Sequence, residues 1–195
     1  MRKYYIFESI YDDYFAQLSS SPDEMNKVDW KIPLGLSVKN EFPSNIKLEF
    51  NEMHPGISVP DLVDNTLHFH IVSEKLKNIL SDEVVQEIEF LPINIINHKK
   101  REEPGMYYIA NLIGSVDCVD MENSSYRESN LKPEYFSRIK VLYIDETKVP
   151  EDCKLFRLSK MPWVFIIRED LVDVLKNKGI KGFKQIQMGE RYTLT

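Results

Sequence analysis

Short apolar runs broken by prolines mark the first sixty positions of the chain, and a more regular pattern begins at residue 68. Tyr4 to Phe7, in KYYIFES, is aromatic and β-branched, and Ile46 to Phe50 alternates apolar with polar as IKLEF, so both predict strands. Between them SSSPDEMNKVDWKIP has no period. Pro33, Pro43, Pro55 and Pro60 each remove a ladder donor, and the spacing predicts an irregular strand and loop region over residues 1–60.

Beyond that point the pattern repeats. HFHIVSEKLKNILSDEVVQEIEFLPI, residues 68–93, lies over WVFIIREDLVDVLKNKGIKGFKQIQM, residues 163–188, at a constant offset of 95 with no gap. Glu74, Leu76 and Leu80 fall opposite Glu169, Leu171 and Leu175, while Ile71, Val72, Ile79 and Val85 fall opposite Ile166, Ile167, Val174 and Ile180. Each segment is an apolar β-prone run, a polar residue and an acid, then leucines at helical spacing, which reads as strand, short helix, strand. Ser73 is placed to cap the first helix, and Glu74, Glu169 and Asp170 put negative charge at the positive ends of the dipoles. Arg168 stands where the second helix would have its capping serine, so that cap is weaker. Gly179 and Gly182 suit the turn out of the second helix.

Strands are further expected at His68 to Val72, Glu87 to Asn94, Tyr107 to Asn111, Lys140 to Ile144, Leu155 to Leu158 and Trp163 to Ile167. Helices are expected at Glu74 to Leu80 and Glu169 to Asn177, with a shorter third at Pro133 to Ser137. The fold class is α+β, with mixed, mainly antiparallel sheets and a few short helices on their faces. No Gly/Ser-rich or Pro-rich linker divides the 195 residues, so a single domain is expected.

Composition narrows the partners. A net charge of -6 and a pI near 5.3 speak against nucleic acid and suit a basic protein partner. The one compact basic run, His98 to Arg101, is followed by Glu102, Glu103, Pro104 and Gly105 and reads as a solvated loop. Cys118 and Cys153 lie far apart without metal-ligand spacing, which suits a reduced compartment. The apolar stretch after Arg2 and Lys3 is broken by Glu8, Asp12 and Asp13, so no signal-peptide core and no membrane span is expected, and the cytoplasm is the predicted location.

His68 and His70, two apart on an expected strand, raise the question of a metal. They align with Trp163 and Phe165, bulky packing residues, and neither His54 nor His98 gives them a ligand-spaced companion. The reading is packing, with no metal and no cofactor. Asp117 and Asp120 could be imagined as an acid/base pair, yet GxSxG, P-loop, GxGxxG and HExxH motifs are all missing from the sequence. A non-catalytic protein is favoured over a hydrolase built on His68, His70, Asp117 or Asp120, and a module with a small-ligand groove between the two similar halves stays open as a third reading.

The order of four segments resembles the Imm11-type immunity proteins of bacterial polymorphic toxin systems, also known as DUF1629. They are IVSEKLKNIL with IEFLPINI, MYYIANLIGSVDCVDMENSSY, IKVLYIDETKVPEDCKLFRL, and VFIIREDLVDVLKNKGIKGFKQIQM, together about residues 66–188. The resemblance implies a protein that binds a cognate toxin and blocks it without catalysis. Within that frame the segment Asp117 to Glu128 is the candidate partner surface, with Asp117, Asp120, Glu122 and Tyr126 as contact residues. The acidic turns Asp145 to Glu146 and Glu151 to Asp152 come next. Oligomeric state does not follow from the sequence.

Overall fold

Alternation in IKLEF translates directly into burial: Ile46, Leu48 and Phe50 point inward and Lys47 faces solvent. The structure, a computed structural model, describes residues 2–195. Its elements run β1 (Tyr4–Ser9), β2 (Gln17–Ser20), β3 (Ile46–Phe50), β4 (Leu62–Asn65), β5 (Ile71–Ser73), α1 (Glu74–Glu83), β6 (Ile88–Ile96) and β7 (Tyr107–Leu112). They continue with β8 (Ser125–Glu128), β9 (Phe136–Val141), β10 (Leu155–Leu158), β11 (Met161–Arg168), α2 (Glu169–Asn177), β12 (Phe183–Gln187) and β13 (Arg191–Leu194). One sheet has the order β10-β11-β1-β12, a second β13-β9-β8, and β2-β3-β6-β7-β5-β4 close into a barrel. Among the described strands, β2 with β4 and β3 with β6 pair in parallel and the others antiparallel.

The fold is thus α+β in outline, with mixed sheets and two α-helices among the described residues. The barrel was not expected. Closure depends on β2 and β4, whose four-residue sequences QLSS and LVDN are too short and too polar to announce strands. It leaves those strands no free edge.

Three elements depart from the sequence reading. The first strand of the repeat begins at Ile71 rather than His68, because His68 adopts φ 57, a left-handed conformation. The Asn65 side chain holds that turn, accepting from Leu67 N at 3.0 Å and Phe69 N at 3.1 Å and donating to Phe69 O at 2.8 Å. Pro133 to Ser137 is no helix; it turns into β9, with Phe136 already buried in the sheet. The strand placed at Lys140 to Ile144 accordingly starts earlier and ends at Val141.

The two similar segments form the same unit twice. In one, β7 lies between β5 and β6 and antiparallel to both; in the other, β1 lies between β11 and β12 in the same way. Registers agree residue for residue: Val72 faces Tyr108 and Leu91 faces Ile109, while Ile167 faces Tyr5 and Ile186 faces Ile6. The helix starts are anchored alike, by Glu74 N to Met106 O and Glu169 N to Lys3 O, both 2.9 Å. So are the exits of the central strands, Ile113 N to Glu87 O and Ile10 N to Gly182 O, both 2.9 Å. Tyr4, Tyr5 and Ile6 therefore occupy the places of Tyr107, Tyr108 and Ile109, with identical residues. The central strand follows its unit in the first copy and precedes it in the second, so one copy is a circular permutation of the other.

Ser73 caps α1 as its sequence promises, its Oγ accepting from Leu76 N at 3.2 Å. Arg168 makes no cap; its guanidinium instead grips the Asp170 carboxylate at 2.7 and 2.9 Å. Both helices press Leu76, Leu80, Leu171, Val172 and Leu175 into one shared core with Tyr5, Phe7, Tyr108 and Phe165. A second core fills the barrel, and a third lies under the opposite face of the β1 sheet, which is why all four residues of YYIF are buried. Leu175→Ala and its counterpart Leu80→Ala should each cost about 2 to 5 kcal/mol in urea unfolding. A change within about 0.5 kcal/mol for either would contradict the shared core.

A polar network centred on one arginine is buried at the meeting point of these layers. Arg157, on β10, is 2% exposed and uses all five N–H donors. Nε donates to Leu112 O at 2.6 Å, Nη1 to Pro33 O at 3.0 Å and Pro162 O at 2.7 Å, and Nη2 to Ile32 O at 2.9 Å and Asn111 Oδ1 at 3.2 Å. Asn111 then donates to Leu36 O at 2.9 Å and to Glu89 Oε2 at 3.1 Å, and Glu89 accepts from Val38 N at 2.9 Å. The strandless segment around residues 32–38 is fixed by this network. Gly35, at φ 68, must be glycine there, since a Cβ would stand 2.9 Å from the Arg157 Cδ.

Candidate functional site

The acidic segment after β7 is tied to the one after β9. Val119 bridges Ile144, Asp120 N donates to Tyr143 O at 2.9 Å, and Asp145 N donates to Cys118 O at 2.7 Å. Two acidic turns separated in sequence thereby line one open depression: Asp120, Met121 and Glu122 on one side, Asp145, Glu146 and Lys148 on the other. Met121, 41% exposed, lines it, while Tyr143, 40% exposed, lines an adjoining depression with Lys3, Tyr5 and Met188 that shares Ile144 and Glu146 with the first.

The four acids divide into two kinds. Asp120 accepts from Glu122 N and Asn123 N, both at 3.1 Å, and from Asn123 Nδ2 at 2.7 Å, and these bonds, the Asn123 amide first, lower its pKa. Asp145 caps the 3-10 turn Glu146–Lys148 through Thr147 N at 3.1 Å and Thr147 Oγ1 at 2.6 Å, and the threonine hydroxyl chiefly lowers its pKa. Both aspartates shape the turns they sit in. Glu122 and Glu146 carry no such duty, which leaves their charges available to a partner. Lys148, 3.8 Å from Asp145, is the cation that lines the depression.

Of the sequence-predicted contact residues, Asp120 and Glu122 meet at this depression. Asp117 does not; it accepts from the Ser159 hydroxyl at 3.1 Å. Tyr126, on β8, is half-buried and stacks on Phe136 with ring centres 4.2 Å apart, so it supports the sheet rather than offering an exposed anchor. The Glu151 to Asp152 turn is elsewhere: Glu151 O receives Arg168 Nη1 at 2.7 Å. Tyr143 was missed. It follows the inward Leu142 in IKVLYIDE, and an aromatic at the outward position of that alternation is the signal that marks it.

The histidines lie at a different place, between the two copies of the repeated unit. His70 stacks on its own aligned counterpart Phe165, with centroids 3.4 Å apart and planes 9° apart, and His68 tilts against its counterpart Trp163 at 5.6 Å. Burial pushes the pKa of His70 well below the usual histidine value, and Arg157 nearby adds to the shift. Among the described residues no three His, Cys, Asp or Glu side chains are grouped to hold a metal ion. Cys118 and Cys153 are buried free thiols pushed up to about 12 and about 11 by desolvation, which removes the thiolate that nucleophilic chemistry needs. No described helix is long and apolar enough to cross a membrane.

No curated protein matches this sequence. The model of the Imm11 immunity protein family matches residues 9–190, and so reaches well into the first sixty residues, where the motifs in the sequence gave nothing to align. With the first copy of the unit, all of the second but its central strand, the barrel strands and the paired acidic turns inside that match, the chain belongs to the Imm11 immunity protein family.

Proposed function

We propose that this protein binds a cognate bacterial protein toxin and blocks it stoichiometrically, without catalysis, through the acidic depression between Val119 to Glu122 and Ile144 to Lys148. The observation that carries this reading is the convergence of two sequence-distant acidic turns around exposed Met121, with exposed Tyr143 in the adjoining depression, in a member of an immunity family. Glu122 and Glu146 steer a basic face of the toxin, and Met121, with Tyr143 next to the depression, supplies contact once water is excluded. The aspartates hold the turns in shape before the partner arrives, which lowers the entropy cost of docking. The same reading takes residues 1–195 as one domain acting in the cytoplasm, with nucleic acid and membrane left aside as partners.

The test is co-expression. The neighbouring reading frame should encode a large protein ending in a toxic domain, and cells carrying that domain should survive only with this protein present. The pair should co-elute as a complex. Survival without complex formation, or toxicity in spite of both proteins being folded, would refute the reading.

A further inference from the structure

A cleft of about 200 Å³ opens where the two copies of the repeated unit meet. Glu8 and Ser9 of β1, Asp64 and Asn65 of β4, the His68 to His70 turn, Trp163 of β11 and Tyr192 of β13 line it. That is room for one side-chain-sized group and less than a typical cofactor pocket. Among the described lining residues there is no Lys or Arg.

The cleft offers acceptors and aromatic surface. Asp64 is held in place by Ser9 Oγ at 2.6 Å and Gln17 Nε2 at 2.7 Å, its two oxygens oriented by these donors. Glu8 is half-buried beside it, and no described group donates to its carboxyl. Nδ1 of His70 is buried without a hydrogen-bond partner, in a ring that burial keeps neutral. His68 is presented from the left-handed turn that Asn65 fixes, opposite Trp163. Such backbone strain recurs at binding sites. Lys184 is opposite Glu8 in the β1–β12 ladder, but its ammonium rests over the Tyr192 ring at 5.0 Å, at the rim, and the Arg157 guanidinium, behind Phe165, has its donors on other acceptors.

We propose that this cleft is a binding site for an alkylammonium or guanidinium group, seated between Trp163, His68 and Tyr192 with its N–H donors on Glu8 and Asp64. Aromatic faces and a carboxylate pair attract a cation together, and neither anions nor neutral alcohols would satisfy these acceptors. The proposal does not depend on where the toxin docks.

Charge at the site has a defined pH dependence. Burial, with Asp64 adding repulsion, raises Glu8 to about 7, while Lys184 opposes the shift. The carboxylate is therefore present above about pH 7 and protonates below it. Burial lowers both His68 and His70, so their protonation at acid pH also works against a bound cation. Of the other charged groups, Asp64 faces the cleft, Lys184 stands over Tyr192 at the rim, and Arg157 acts on His70 from behind Phe165.

Agmatine and n-butylammonium are the probes, with n-butanol and matched sodium chloride as controls, and binding is read by calorimetry and thermal melting. Saturable binding with a dissociation constant on the order of 1 mM is expected, as befits so small a ligand. It should weaken at least about tenfold in Glu8→Gln and in Trp163→Ala, and weaken again from pH 8 to pH 6 in the native chain but not in Glu8→Gln. Glu8 has no bonded partner to lose, so that variant should fold; His68→Ala, an exposed change, is the second check. Absence of saturable binding, or binding equal in all variants, would overturn the proposal while leaving the toxin reading intact. If Glu8→Gln also loosens the toxin complex, the cation is a lysine or arginine of the partner; if the complex is unaffected and agmatine binding is lost, it is a free small molecule.

Discussion

Arg157→Met is expected to lower the unfolding free energy by about 3 to 5 kcal/mol, a large share of the 5 to 15 kcal/mol typical of a folded domain. The loss does not come from the charge itself. Burial brings the guanidinium pKa down only to about 9, so it remains a cation at neutral pH without any carboxylate in contact. What Met removes is the set of donors that satisfies Ile32, Pro33, Leu112 and Pro162 carbonyls and the Asn111 amide oxygen, and each buried acceptor left without a partner costs about 1 to 3 kcal/mol. Arg157→Lys should recover little of it, because three donors at one point cannot reach acceptors on separate segments. Phe165 would also lose the guanidinium that lies 4.6 Å over its ring. Urea unfolding gives the magnitude, and hydrogen exchange should show residues 32–38 deprotected first. A loss below about 1 kcal/mol would mean that these bonds do not organise the interior.

Glu122→Lys combined with Glu146→Lys is expected to slow toxin association about tenfold or more at low salt, with the difference shrinking as salt rises. Neither glutamate side chain holds the loop, so the double variant should melt at the temperature of the native protein. Met121→Ala should act on the other rate, speeding dissociation, because it removes contact that forms only after docking. Asp120 is unsuitable for this test: its replacement would also release the Glu122 and Asn123 amides that shape the turn. A folded double variant that still protects cells and associates at the native rate would remove this depression from consideration.

What could be read in advance was whatever depends on neighbours along the chain. The leucine spacing of α1 and α2, the Ser73 cap and its lack at Arg168, and the strand LFRL all follow from local pattern, and α2 and β10 agree with it to the residue. The second appearance of YYI did not emerge from the gapless comparison, because permutation moves β1 to the far side of its unit. His68 was misplaced on a strand because a side chain three positions earlier, Asn65, governs its backbone. Nothing in LFRL marks Arg157 as an interior residue, yet β10 is buried on both faces. The candidate site was half legible: Asp120 and Glu122 stood out by composition, but the bridge from Val119 to Ile144 that brings the second acidic turn beside them is a tertiary event with no local trace.

The permuted order of the two copies also dictates a sequence of events during synthesis. The first copy is contiguous, since β5, α1, β6 and β7 leave the ribosome one after another and can pair with little loop closure. The second copy has its central strand at the start of the chain and the rest near the end: the Tyr5 hydroxyl donates to Glu169 from 164 residues away. From its emergence until β11 and β12 are made, YYIF is an apolar strand without either of its neighbours, a template for pairing with other nascent chains. Before β7 takes its place, β5 and β6 present a ladder that fits the same two tyrosines and isoleucine, so the unfinished first copy is a surface able to accept β1 wrongly from another molecule; exchange of this strand between chains is the misassembly that this architecture favours.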